Sequence, residues 1–130
     1  MKSLLSLLLV VFSTACMAQS LDKVDCSTIT ISPQLDDCVK KQLKGSNIRL
    51  KNELEKFEKR TKQDYAADLK LGKARINKVK QAQKAWIKFR DLNCKVEAFE
   101  IEEGTAAHIT TVNNCIIRMN AERINILEKL

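Results

Sequence analysis

After Pro33 the chain meets no further proline, and in its whole length it has only three glycines, Gly45, Gly72 and Gly104. Sheets need frequent turns, and turns draw on glycine and proline for their special backbone angles. A stretch this poor in punctuation is suited to long helices. The apolar residues agree, because they recur at helical steps. Leu43, Leu50, Leu54, Phe57 and Tyr65 form a first stripe, and Val79, Ala82, Trp86, Phe89 and Val96, flanked by Ile76, Ala85, Leu92 and Phe99, form a second. Ile109, Val112, Ile116, Met119, Ile126 and Leu130 form a third. The expected class is all-α: a small antiparallel bundle of three main helices. The first starts near Pro33 with Ser32 as candidate N-cap, and Gly45-Ser46-Asn47 is a candidate break within it. The second begins around Gly72 and ends at Gly104, and the third follows from about Thr105.

The first 18 residues, MKSLLSLLLVVFSTACMA, have the layout of an export signal: one positive charge at Lys2, a short apolar run, then small residues. The run is shorter than the roughly 20 apolar residues a transmembrane span requires. Cleavage after Ala18 yields a soluble periplasmic or secreted protein, and lipidation at Cys16 is the alternative. Residues 19–33 read as an extended arm, and 34–130 as the helical domain.

Either way Cys26, Cys38, Cys94 and Cys115 remain, an even set that reads as two disulfides in an oxidising compartment. Cys94 lies ten residues before Gly104 and Cys115 eleven after it. At about 1.5 Å of rise per residue both stand roughly 15 Å from the turn of a helical hairpin, so they are expected to pair. Cys26 is then left to Cys38. With no CxxC and one histidine, His108, no metal or other cofactor is expected.

Loss of Lys2 with the signal leaves 22 basic against 16 acidic residues, a net charge of +6. Export and the low aromatic content, 5%, set nucleic acid aside as a partner. Between Lys70 and Arg90 stand eight basic residues and no acidic one, whereas Glu97, Glu100, Glu102 and Glu103 follow. Lys80, Lys84 and Lys88 step by four along one helix face, with Lys73 upstream. They form a solvated surface or a candidate face for an anionic envelope polymer.

The segment QAQKAWIKFRDLNC, residues 81–94, gathers Trp, Arg, Asp and Cys and invites a catalytic reading. Helical geometry argues otherwise, since neighbouring residues point about 100° apart and do not converge on one substrate atom. Trp86 and Phe89 are expected in the core, Arg90 and Asp91 with separate partners, and Arg123 with Asp91 or Glu97. No catalytic residue is assigned.

The string AQKAWIKFRD at 82–91 followed by Cys94, then Gly104, then Cys115 with Arg123 eight positions later, resembles the LprI-like lysozyme-inhibitor family. In that pattern Gln83, Trp86, Arg90, Asp91, Cys94, Gly104, Cys115 and Arg123 hold matching positions, all read as architectural. The resemblance implies an exported, non-enzymatic protein that binds and blocks a lysozyme-type muramidase. Two other readings stand beside it: a structural or stress component that binds anionic wall polymers, and an immunity protein against a wall-degrading effector.

Overall fold

The computed structural model describes residues 25–29 and 32–130. The expected leader, with its processing site at Ala18 or Cys16, and most of the arm lie outside the described residues. Three helices make up the fold: α1 Ser32–Asp64, α2 Leu69–Glu97 and α3 Ala106–Lys129. Short connections force them antiparallel. α1 and α3 pack along each other most extensively, and α2 rests against both.

Each connection has a local cause. Asp68 caps α2, its Oδ1 accepting from the Leu71 backbone N–H at 2.9 Å. Thr105 does the same for α3, its Oγ1 accepting from the His108 N–H at 3.2 Å. Before it, Gly104 has φ 86°, a left-handed backbone that a side chain resists. α2 therefore begins three residues before Gly72, which is buried one turn inside it. A Cβ on Gly72 would lie 2.8 Å from the Cβ of Tyr65, so glycine serves there as the contact between the helices rather than as a start signal.

Nor does Gly45-Ser46-Asn47 break α1, which runs unbroken for 33 residues. Ser46 is 1% exposed and accepts a hydrogen bond from Asn120 of α3. Its small size admits that side chain.

Both disulfides are formed, Cys26–Cys38 and Cys94–Cys115. The first, with Val39, gathers Ile29, Leu35 and Ile117 where α1 starts. Just before it the chain turns at Ser27 and Thr28, the Ile29 N–H donating to the Cys26 carbonyl. The second disulfide, with Met119, is wrapped by Trp86, Val112 and Ile116.

The second apolar stripe faces the core only in part. Ile76 is buried and Trp86 packs on the Cys94–Cys115 bridge, alongside buried Gly72, Gln83, Arg90 and Cys94, while Phe89, Leu92, Val96 and Phe99 are exposed. Residues two or five positions from Cys94 lie roughly 140–160° around a helix from it. The bond to Cys115 thus turns Phe89, Leu92 and Val96 outward, and Phe99 stands in the turn just past the end of α2. On α3 the same kind of correction applies: Leu127 is buried and its neighbour Ile126 is 47% exposed.

Candidate functional site

Seven of the eight motif positions meet in one cluster, where α2 lies against α3. Cys94 and Cys115 are both fully buried. One helical turn before Cys94, Arg90 donates from Nη1 to Asn120 Oδ1 at 2.7 Å, and from Nε and Nη2 to Asp91 Oδ1 at 2.8 and 2.7 Å. Arg90 and Asp91 were expected to find separate partners. The long guanidinium instead folds back along the helix to its neighbour, which supplies the countercharge that a guanidinium only 8% exposed requires.

Arg123 was expected to find a carboxylate, Asp91 or Glu97, and does not. Its Nε donates to Gln83 Oε1 at 2.9 Å. Asp91 is taken by Arg90, and Glu97 by Arg118 at 2.6 Å. Burial pushes the Arg123 guanidinium below its usual pKa. Trp86 compensates from between the two arginines, its ring centroid 5.4 Å from Arg90 and 5.7 Å from Arg123. The indole is half-buried as a cation–π filling, a contact worth about 0.5–2 kcal/mol.

Periodicity gave no notice of Asn120. Fully buried, it donates from Nδ2 to Ser46 Oγ and Asn47 Oδ1, each at 2.9 Å, and accepts from Arg90. One amide therefore links all three helices. The available signal was its place among the apolar residues of the third stripe, five after Cys115 and one after Met119.

The four lysines divide. Lys80 is bound to Glu58 of α1 at 2.9 Å, and with Lys73 it lines a cleft of about 430 Å³ between α1 and α2. Lys84 and Lys88 are exposed beyond it. Glu58, the one carboxylate lining the cleft, is already ion-paired, so no second acid stands opposite it for general acid–base chemistry. Among the described residues no cluster of His, Cys, Asp and Glu fits a metal ion.

The turn between α2 and α3 has a different character. Phe99, Glu100, Glu102, Glu103 and His108 border an open hollow of about 550 Å³. Beside it Arg118 hydrogen-bonds Glu97 and holds that exposed carboxyl below the usual carboxylate range. A group with a depressed folded pKa contributes stability above its unfolded value of about 4.3, and the contribution is lost as pH falls through the folded value. The difference in melting temperature between the protein and Glu97→Gln should therefore be present at neutral pH and vanish in acid. Thermal melts across that pH range, repeated in high salt to screen the pair, check this.

The family model for the lysozyme inhibitor LprI matches residues 25–127. The chain belongs to the LprI lysozyme-inhibitor family. The matched span of this LprI-family chain contains the whole cluster of Gln83, Trp86, Arg90, Asp91, Cys94, Cys115 and Arg123, which forms a clamp between α2 and α3. Gly104 makes the turn that lets the two helices meet. The fold is shared with a crystal structure of a DUF1311-family protein from Pseudomonas putida KT2440. That protein is 23% identical, with a TM-score of 0.68 over 82% of this chain and 96% of the other. No curated protein matches the chain significantly.

Proposed function

We propose that this LprI-family protein binds a lysozyme-type muramidase on the envelope side of the membrane and occludes its cleft, with no catalysis of its own. The observation that carries the reading is the family match over residues 25–127. The geometry supports it: Arg90 and Asp91 are consumed by each other and Arg123 by Gln83 and Trp86 within the clamp, leaving the surface to do the work. No helix among the described residues is long and apolar enough to cross a membrane, in keeping with an exported or lipid-anchored domain.

Charge favours one end of the molecule. A basic muramidase approaching an exported chain of net +6 is repelled over most of its surface and attracted at the α2–α3 turn. Glu102 and Glu103 stand there beside the hollow. The lysine face supports the wall-polymer reading less well, because Lys80 is already neutralised by Glu58.

The test is clearing of a bacterial cell suspension by several muramidases with the oxidised protein added at micromolar concentration. Slower clearing is expected, and unchanged clearing with all of them rejects the proposal. Glu102→Lys with Glu103→Lys is expected to weaken inhibition of a basic muramidase by about tenfold through slower, less favourable encounter. Both side chains are exposed, so the melting temperature should hold.

A further inference from the structure

A second cleft, of about 330 Å³, lies between α1 and α2 beside the clamp. Leu50 and Leu54 of α1 and Ile87 of α2 line its middle. Asn47 and Arg90 stand together at one end, since both are hydrogen-bonded to Asn120. Gln83 stands at the other, two helical turns or about 10 Å along α2 from Arg90.

The two amides are held in fixed orientations. Arg123 can only donate, so Gln83 turns its Oε1 toward it and its Nε2 away. Asn47 accepts from Asn120 through Oδ1, which likewise leaves its Nδ2 to spare. Arg90 spends three of its five N–H groups on Asp91 and Asn120 and keeps two. Gln83 is 5% exposed, yet its Nε2 has no partner among the described residues. No fully enclosed side-chain nitrogen among them lacks a partner, so this one opens on free space, and the space that Gln83 borders is the cleft.

The side chains around the cleft therefore offer donors at both ends, hydrocarbon between them, and no carboxylate. Lys51 on the rim adds a cation, shared with Glu55 at 3.7 Å. A sugar brings hydroxyl donors that meet no acceptor on these side chains, and a plain hydrocarbon leaves the donors unanswered. What fits is a short apolar body with an acceptor at each end. A carboxylate has acceptors only, and a peptide that ends in one carries a carbonyl further back. Two extended residues span about 7 Å, and a hydrogen bond at each end covers the remainder.

We propose that this cleft binds the free carboxy-terminus of a peptide ending in small apolar residues. The carboxylate accepts from Arg90 and Asn47, and the carbonyl two residues back accepts from Gln83 Nε2. An apolar side chain between them rests on Leu50, Leu54 and Ile87, and the peptide N–H groups face the open side, where water takes them. The inference does not rest on muramidase binding.

The probe is N-acetyl-alanyl-alanine in its L,L and D,D forms, titrated to about 10 mM into the oxidised, isotope-labelled protein and followed by NMR. Saturable shifts of the Gln83 and Asn47 side-chain amides are expected with at least one form. Amidating its carboxy-terminus should weaken binding about tenfold, and isovalerate, a carboxylate without the second acceptor, should bind about tenfold more weakly too. Gln83→Glu keeps an oxygen for Arg123 but sets a carboxylate oxygen where the donor stood. It should hold its melting temperature and bind about tenfold more weakly. Asn47→Asp, at an exposed position, makes the same exchange at the other end and should act alike. The absence of saturable shifts with both forms overturns the proposal. So does an amidated peptide or isovalerate that binds as tightly, or binding unchanged in both folded variants.

Discussion

Replacing Cys94 and Cys115 together by Ala is expected to lower the melting temperature by about 15 °C, measured by circular dichroism against the oxidised protein. The bridge spans a sequence separation of 21. Chain entropy for such a loop gives about 3 kcal/mol, and a domain of this size loses about 4–8 °C per kcal/mol. Both sulfurs are fully buried under Trp86, Val112, Ile116 and Met119, so the substitution also removes packing. Cys26–Cys38 spans a separation of 12 and is 7% exposed at each end. It closes a shorter loop near the described amino-terminal end, and its removal is expected to cost less. Equal losses from the two double variants would contradict the view that Cys94–Cys115 fixes the orientation of α2.

Asn120→Leu should destabilise the fold by about 3 kcal/mol in a denaturant titration, although leucine is apolar and similar in volume. The substitution strands two buried groups together. Ser46, 1% exposed, loses its donor, and Arg90, 8% exposed, loses an acceptor; exposed Asn47 can turn to water instead. A buried polar group left unpaired costs about 1–3 kcal/mol, more where a charge is involved. Asn120→Asp keeps an acceptor for Arg90 and lets the Ser46 hydroxyl donate in return, so its loss should be about 1 kcal/mol. If leucine proves neutral, the polar linkage of the three helices contributes nothing to stability.

What the sequence made legible was the skeleton. Scarcity of Gly and Pro gave three helices, and equal distance from Gly104 gave the Cys94–Cys115 pair. The rotation of α2 was in principle available from that same pair. Once Cys94 faces α3, Phe89, Leu92 and Val96 must face away, yet apolarity alone assigned them to the core. α2 carries two stripes, an apolar one that faces water and one studded with Gln83 and Arg90 that faces its neighbours. Hydropathy cannot rank these, because the inner one is held by hydrogen bonds and a covalent bond. Partners of long side chains were the least legible. Arg123 chose an amide and an indole over a carboxylate, and Arg90 folded back on Asp91, through rotamers that spacing does not specify.

The proposed mode of action separates two kinds of protection, acting on the enzyme and coating the wall. Hydrolysis of a soluble chromogenic chitooligosaccharide by a muramidase, titrated with the oxidised protein, distinguishes them because no wall is present. Occlusion of the cleft predicts that activity falls along with the clearing of cells as the protein is added. Full hydrolysis of the soluble substrate at concentrations that slow cell clearing would contradict it and place the protein on the wall instead.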